Sequence, residues 1–468
     1  MLAPSVGASM GPHGPHLRPG SWLRPHPQVD PMVQTSLAPT AAPTQHRAPD
    51  PRGPLHPSKL FAGQQFVVVG GTGFLGKVWL SMLLHRFADI GHVWLLVRPK
   101  GVQDAPARFW AQVASSEVFE PLRERYPGPA FEAFLKEKIT PVGGDIKKTN
   151  MGFDDALVTQ LRDNVAAVVN VAGVVDFNPP LDEALDVNAF GLTNLINFAK
   201  AVHAPVLHTS TCYVAGYRTG FIAEVDPCEV PFPRAAGAPG ARLIAPPKHL
   251  PVDRKLDRSH WDPENEIRES MDVIEHTRHR CEDAFRQSLF LDDAKRNLES
   301  RGEPCRGTAL RDELAEVKRR FTRERLIEAG KERALYWGWP NIYTYTKSIG
   351  EQVLANSGVP YTIVRPAVIE SASEYPFPSW NEGINTSAPF LYMALKGQIQ
   401  FPNDPAVHLD IIPVDMVASG MLASMAELLD GSHCPTYQYG STDTNGCTMS
   451  RYLELVGLYK RKRWQDGG

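Results

Sequence analysis

The sequence predicts an α/β fold: a doubly wound, mainly parallel sheet with a large, mostly helical insertion capping the substrate site. Short branched runs alternate with helical stretches in two separated blocks, the rhythm of βα units. A glycine loop, Gly70-Gly71-Thr72-Gly73-Phe74-Leu75-Gly76, joins the first apolar run to the first helical stretch. Between the blocks lie more than a hundred residues of different character.

Each element follows in order. Phe66 to Val69 reads as the first strand, Phe74 to Phe87 as the first helix, and Val93 to Val97 as the second strand. Ile139 to Val142 is a third strand running into Gly143-Gly144-Asp145, and Ala166 to Val171 a fourth. One helix is expected from Leu181 to Lys200, a fifth strand at Val206 to His208 and a sixth at Tyr361 to Val364. Helices are also expected around Phe390 to Leu395 and from Met416 to Leu429. The boundaries are 61–219 with 340–430 for the Rossmann-like domain, 220–339 for the insertion, and 431–468 for a C-terminal segment. Tyr459 to Gly468 has no clear final element, as in a segment of a longer polypeptide.

Composition removes several function classes. A formal net charge of -3 gives no global field for nucleic acid. The six cysteines form no CxxC pair, and no Cys/His cluster has zinc spacing, so no metal is expected and the protein reads as reduced and cytoplasmic. No apolar run approaches the roughly eighteen residues that span a bilayer, so membrane contact would be peripheral. Residues 1–60 hold 13 of the 41 prolines and 5 of the 15 histidines without periodicity, and read as a Pro/His-rich disordered tail. Pro227 to Pro251 reads as an extended surface excursion. In the insertion, Leu310, Leu314, Val317 and Phe321 build one apolar face, with Lys318, Arg319, Arg320, Arg323 and Arg325 on the other. The first face is suited to cover an apolar chain, the second to attract phosphates or an anionic membrane.

The candidate site residues follow from position. Gly70 suits a tight turn, Gly73 lets backbone approach a pyrophosphate, and Gly76 lets helix and strand pack closely. After the second strand, Arg98-Pro99-Lys100 stands where an acidic residue would hold the ribose hydroxyl of NAD; a guanidinium there suits a 2′-phosphate, hence NADPH. Asp145, with Ile146 beside it, is placed for the adenine edge, while Ala172 and Gly173 are small enough to let the cofactor lie on the backbone. Pro366 and Val368, after the sixth strand, complete the expected cofactor contacts.

Tyr343 and Lys347, four apart on one helix face, form a proton-donor pair in which the ammonium would lower the phenol's pKa and hold the nicotinamide ribose; Tyr345 is a rival. Thr211, with Ser210 in reserve, can donate to a substrate oxygen at the carboxyl edge of the sheet. Asn188 is a candidate for ordering a water or backbone group in a proton path to Lys347. Cys212 invites a thioester intermediate, but a small buried cysteine is the commoner outcome. His208, Asp410 and Asp415 read as structural.

These pieces together resemble the extended short-chain dehydrogenase/reductase superfamily. GGTGFLGKVWLSMLL, LLVRPK, HTSTCYVAG, GWPNIYTYTKSIGEQ, VRPAVIES and LDIIPVDMV narrow the likeness, over about residues 60 to 430, to bacterial fatty acyl-CoA reductases with a male-sterility-type NAD-binding domain. The resemblance implies NADPH, a long-chain acyl-CoA substrate reduced to aldehyde and then primary alcohol with release of CoA, and catalytic roles for Thr211, Tyr343 and Lys347. Two features depart from simpler members: 132 positions separate Thr211 from Tyr343, and no complete C-terminal family domain follows Asp430. Carrier-bound acyl thioesters, a sterol or a nucleotide sugar are alternative substrates. A non-catalytic NADPH-binding interaction protein is the alternative of another class.

Overall fold

The computed structural model describes residues 53–218, 222–229, 262–383, 387–398 and 404–466. They belong to the unit Arg52–Gly468; the unit Met1–Pro51, with most of the expected tail, lies outside them, as does most of the excursion 227–251.

Seven short strands form one sheet: β1 (Gln65–Val69), β2 (His92–Val97), β3 (Ile139–Gly143), β4 (Ala167–Asn170), β5 (Val206–Thr209), β6 (Tyr361–Pro366) and β9 (Thr436–Tyr439). Their order is β3-β2-β1-β4-β5-β6-β9, and every neighbouring pair is parallel. A second parallel pair, β7 (Val368–Glu370) with β8 (Ile411–Pro413), follows the end of β6. The strand order reverses between β1 and β4, which opens a crevice at their carboxyl ends.

Alternation along β1 builds the two apolar layers. Phe66 and Val68 pack with Trp79, Met82 and Leu83 of α2 (Phe74–Arg86) and with Val417 and Met421 of α14 (Val414–Asp430). Val67 and Val69 face the other side, against Leu192, Leu195 and Phe198 of α8 (Phe190–Val202). Strands covered on both faces need near-continuous apolar runs, as β1 and β4 have. Four short helices, α3 (Ala105–Phe109), α4 (Glu120–Arg125), α5 (Pro129–Lys138) and α6 (Asp155–Leu161), fill the connections around β3.

Three elements differ from the sequence expectation. The helix expected over Leu181 to Lys200 is two, α7 (Leu181–Asn188) and α8, kinked at Ala189 (φ -114°, ψ -65°). The kink accompanies a close crossing: a Cβ at Gly350 of α12 (Ile342–Ala355) would lie 2.3 Å from the Asn188 carbonyl. The chain after Asp430 does have clear elements. It supplies the edge strand β9, then α15 (Thr442–Asn445) and α16 (Met449–Gln465). At the other end, α1 (Pro57–Phe61) falls within the expected tail but buries Phe61 edge-on against Phe66 and Phe87.

The insertion carries α9 (Pro263–Cys281), α10 (Ala284–Arg301) and α11 (Gly307–Trp337). Its expected acyl-covering face is already occupied: Leu310, Leu314, Val317 and Phe321 pack on Phe290 and Ala294 of α10. Much of the basic face is neutralised, with Arg319 paired to Glu316, Arg323 to Glu183 and Arg325 to Glu328. The rest of the insertion joins Ile274, Leu326, Ala334 and Trp337 to Leu181, Leu185, Ile342 and Tyr345 of α7 and α12.

Candidate active site

The glycine loop sits at the strand-order reversal. Gly70 has φ +89°, and a Cβ there would lie 2.4 Å from the Ala172 amide nitrogen. Both facts require glycine. At Gly76 a Cβ would lie 2.3 Å from the Gly70 carbonyl, so α2 can start directly over the loop. Gly73, the residue before α2, would place its Cβ in open space except for the Gly70 carbonyl at 3.4 Å. The first amides of a helix have no intrahelical acceptor. Those of Phe74, Leu75 and Gly76, with half-buried Thr72 beside them, therefore present a cradle of donors that fits a pyrophosphate. The Phe74 ring is not part of it; it stacks on Trp380 at 5.4 Å.

Around that cradle the other expected cofactor residues take different places. Arg98 and Lys100 are exposed directly beyond β2, and the Arg98 guanidinium has no partner among the described residues. Asp145 is half-buried, and its Oδ1 accepts from the Lys147 amide at 3.0 Å, closing a turn with one oxygen. The Ile146 side chain is buried in the core, and its carbonyl accepts from Asn194 Nδ2 at 3.0 Å. Ala172 donates its amide to Asn170 Oδ1 at 3.0 Å, and Asn170 Nδ2 lies 3.1 Å from His208 Nδ1. His208 is held well below its ordinary pKa by burial and then by Lys347, and is a structural imidazole. The Pro366 carbonyl accepts from Thr211 Oγ1 at 3.4 Å, and the Val368 amide donates to the Asp410 carbonyl at 3.0 Å.

The catalytic candidates come from β5 and α12. Thr211 follows β5 in extended conformation (φ -155°, ψ 147°), and its Oγ1 also accepts from the Tyr213 amide at 3.3 Å. Its hydroxyl also lies near enough to Tyr343 to favour the phenolate. Ser210 is buried, and its Oγ has no partner among the described residues. Of the two hydroxyls, Thr211 is the one whose influence reaches the tyrosine.

One turn along α12, Lys347 Nζ donates to the Thr209 carbonyl at 3.0 Å. A Cβ at Gly173 would lie 2.7 Å from that Nζ and 3.6 Å from Asn188 Oδ1. Asn188 Oδ1 accepts from the Val174 amide at 3.2 Å, while its Nδ2 donates to Thr346 Oγ1 at 3.0 Å. It thereby ties the β4–α7 loop to α12, ordering a backbone group beside Lys347.

The electrostatics depart from expectation. Burial pushes Tyr343 up to about 12, against the opposing influence of Thr211. Lys347, whose ammonium is turned to Thr209, is itself brought down to about 8 by burial, against the raising influence of Glu351. The expected lowering of the phenol by the lysine is not what this arrangement produces. Burial and then Asp410 push Cys212 up to about 12, which holds it as a thiol and removes it as a nucleophile. Tyr345 is removed as a rival: its hydroxyl meets buried Glu266 and lies 3.0 Å from Ser270 Oγ, with Arg333 Nε at 3.4 Å.

Several participants were missed. Arg365 of β6 and Glu351 form a buried two-point ion pair at 2.9 and 2.6 Å. The i,i+4 spacing of Lys347 and Glu351 was a visible signal; the partner strand was not. Lys77, directly after the glycine loop, pairs with Glu382, which also accepts from Ser116 Oγ at 2.7 Å. Asp415, by contrast, was read as structural, and it accepts from the amides of Ser373, Glu374 and Tyr375, anchoring the segment that carries Trp380.

A glycine loop at the reversal of a parallel sheet, together with buried Thr211 and Lys347 and half-buried Tyr343, defines a nicotinamide-dinucleotide-binding reductase domain. Residues 68–421, more than half of the chain, match the male sterility protein family. Over 403 residues the chain is 30% identical to fatty acyl-CoA reductase 8 of Arabidopsis thaliana, covering 85% of this chain and 70% of that protein. It belongs to this family, the fatty acyl-CoA reductases of male-sterility type.

Chloroplastic fatty acyl-CoA reductase 2 of Arabidopsis thaliana is 31% identical over 404 residues, 84% of this chain; the chain spans only 57% of its length. The alcohol-forming fatty acyl-CoA reductase of Simmondsia chinensis is 27% identical over 407 residues, 85% of this chain and 70% of that protein. These relatives are plant proteins, so the comparison supports the family and not its bacterial branch. Among solved structures, the terminal R domain from the myxalamid PKS-NRPS pathway matches with a TM-score of 0.50 at 17% identity, covering 85% of this chain and 70% of that one. That likeness concerns the fold alone.

Proposed function

We propose that the protein catalyses NADPH-dependent reduction of long-chain fatty acyl-CoA to the aldehyde and on to the primary alcohol, with release of CoA. The observation that carries the reading is the Thr211–Tyr343 hydroxyl pair beside Lys347, in a chain of the fatty acyl-CoA reductase family. Gly70 to Gly76 would hold the pyrophosphate of NADPH and Arg98 with Lys100 its 2′-phosphate, and the cofactor would supply hydride. In the first round the thioester oxygen accepts from Thr211 and Tyr343, and Tyr343 passes its proton as negative charge grows there. The hemithioacetal then breaks its C–S bond, giving aldehyde and CoA thiol. In the second round the aldehyde oxygen occupies the same place and takes a proton from the same tyrosine. Lys347, set by Gly173 and the Thr209 carbonyl, would hold the nicotinamide ribose and lie on the path by which a proton returns to Tyr343.

No described helix is long and apolar enough to cross a membrane, and we place the enzyme on the cytoplasmic side in peripheral contact with an anionic membrane. The catalytic reading is tested by NADPH oxidation with palmitoyl-CoA, run against NADH. Turnover with NADPH that is lost in Tyr343→Phe, while the variant still binds NADPH, supports it. Undiminished turnover in Tyr343→Phe, or none in the wild-type protein, contradicts it.

A further inference from the structure

Two helices far along the chain expose apolar surface that the fold leaves uncovered. α13 (Ala388–Leu395) reads Ala-Pro-Phe-Leu-Tyr-Met-Ala-Leu, yet none of its residues is buried. Tyr392 is 60% exposed, and Met393 and Leu395 are exposed with it. It is joined to α16, where Phe390 meets Tyr452 at 5.6 Å and the Tyr452 hydroxyl donates to Ser387 Oγ at 3.2 Å. α16 also buries no residue. Its exposed Leu455, Leu458 and Tyr459 fall on one helix face, with Lys462 one turn on. Trp464, at 81% exposure, stands at its end.

Charge accompanies this surface. Lys460, Arg461, Lys462 and Arg463 are consecutive, exposed, and without an ion pair among the described residues. The nearby acid Glu454 is matched by Arg451 at 2.7 Å. Directly after α13, Lys396 lies over the Tyr392 ring at 5.5 Å. This differs from the insertion, where three of the five basic residues of the stripe pair with glutamates.

We infer that the α13/α16 surface docks on an anionic bilayer, its Leu, Tyr and Trp side chains entering the headgroup boundary and its cations meeting lipid phosphates. Apolar and aromatic residues beside a run of unpaired Lys and Arg on one helix are the combination that binds such an interface. Trp and Tyr suit the boundary because one end of each ring is apolar and the other polar. The inference gives the peripheral-contact reading its surface and stands apart from the reductase chemistry.

The test is cosedimentation of the full chain with phosphatidylcholine vesicles, with and without phosphatidylglycerol. Binding should require the anionic lipid and weaken with salt. Replacing Lys460, Arg461, Lys462 and Arg463 together by Gln should weaken it roughly tenfold or more. Trp464→Ala should weaken it too, while both variants keep the wild-type melting temperature and NADPH oxidation with soluble acyl-CoA. Absence of binding, equal binding to neutral vesicles, or variants that bind like wild type would overturn the assignment. So would a self-associated wild type that Trp464→Ala turns to monomer without vesicle binding, which would give the surface to a second copy.

Discussion

The Lys347 ammonium rests against the backbone of Gly173, closely enough that a Cβ there would stand 2.7 Å from Nζ. The loop after β4 thus sets where the lysine of α12 can be. Nζ is the free end of a flexible side chain and can move aside at little cost to folding. Gly173→Ala should therefore leave the melting temperature within about 2 °C of wild type while lowering kcat by roughly tenfold or more. Thermal melts and steady-state kinetics on one preparation check both halves.

The two tyrosines of α12 should part in opposite ways. Tyr343→Phe removes the proposed proton donor and should lower kcat by at least ~100-fold with a near-normal melt. Tyr345→Phe leaves Glu266 and Arg333 with one partner fewer in a buried network, and should cost about 1–3 kcal/mol of stability while retaining most turnover. Denaturant unfolding and NADPH oxidation separate the two. A Tyr345→Phe variant that is inactive but stable would mean the wrong tyrosine faces the substrate.

The pH profile should carry the mark of Lys347. Its pKa is lowered to about 8, so in the folded enzyme the ammonium is lost as pH rises through that value, while Tyr343, near 12, remains a protonated acid. kcat/KM should therefore fall above about pH 8, and Lys347→Arg, if active, should move that limb upward. For stability the sign is opposite. Between about 8 and the ordinary 10.5 the unfolded chain binds the proton that the folded one has lost, so this group makes the protein more stable as pH rises across that window.

The first three strands, the glycine loop and the Tyr343/Lys347 pair were readable because each is local: a branched run, a glycine spacing, a one-turn spacing. What escaped reading depends on distant partners. Nothing near Asn188 announces Thr346, and nothing near Lys77 announces Glu382. β9 was missed because Thr436-Tyr-Gln-Tyr is short and half polar, as suits an edge strand. The apolar face of α11 was visible, but what covers it was not; Phe290 and Ala294 of α10 take the place assigned to an acyl chain. The lysine's influence on the phenol failed for a similar reason, since burial of both groups outweighs their spacing.

The proposed preference for NADPH rests on Arg98. It is exposed beyond β2, so Arg98→Glu should leave folding unchanged. The new carboxylate would repel a 2′-phosphate and accept from a ribose hydroxyl, and the NADPH-to-NADH ratio of kcat/KM should fall by roughly tenfold or more. Unchanged preference would place the 2′-phosphate elsewhere.

The central claim is two successive reductions at one Thr211–Tyr343 pair. It is tested most directly by incubating the protein with NADPH and palmitoyl-CoA and measuring NADPH consumed against CoA thiol released, with the lipid product identified. Two NADPH per thiol with hexadecanol is the result this account predicts. One per thiol with aldehyde accumulating, or no thiol released by a folded protein that binds NADPH, would contradict it.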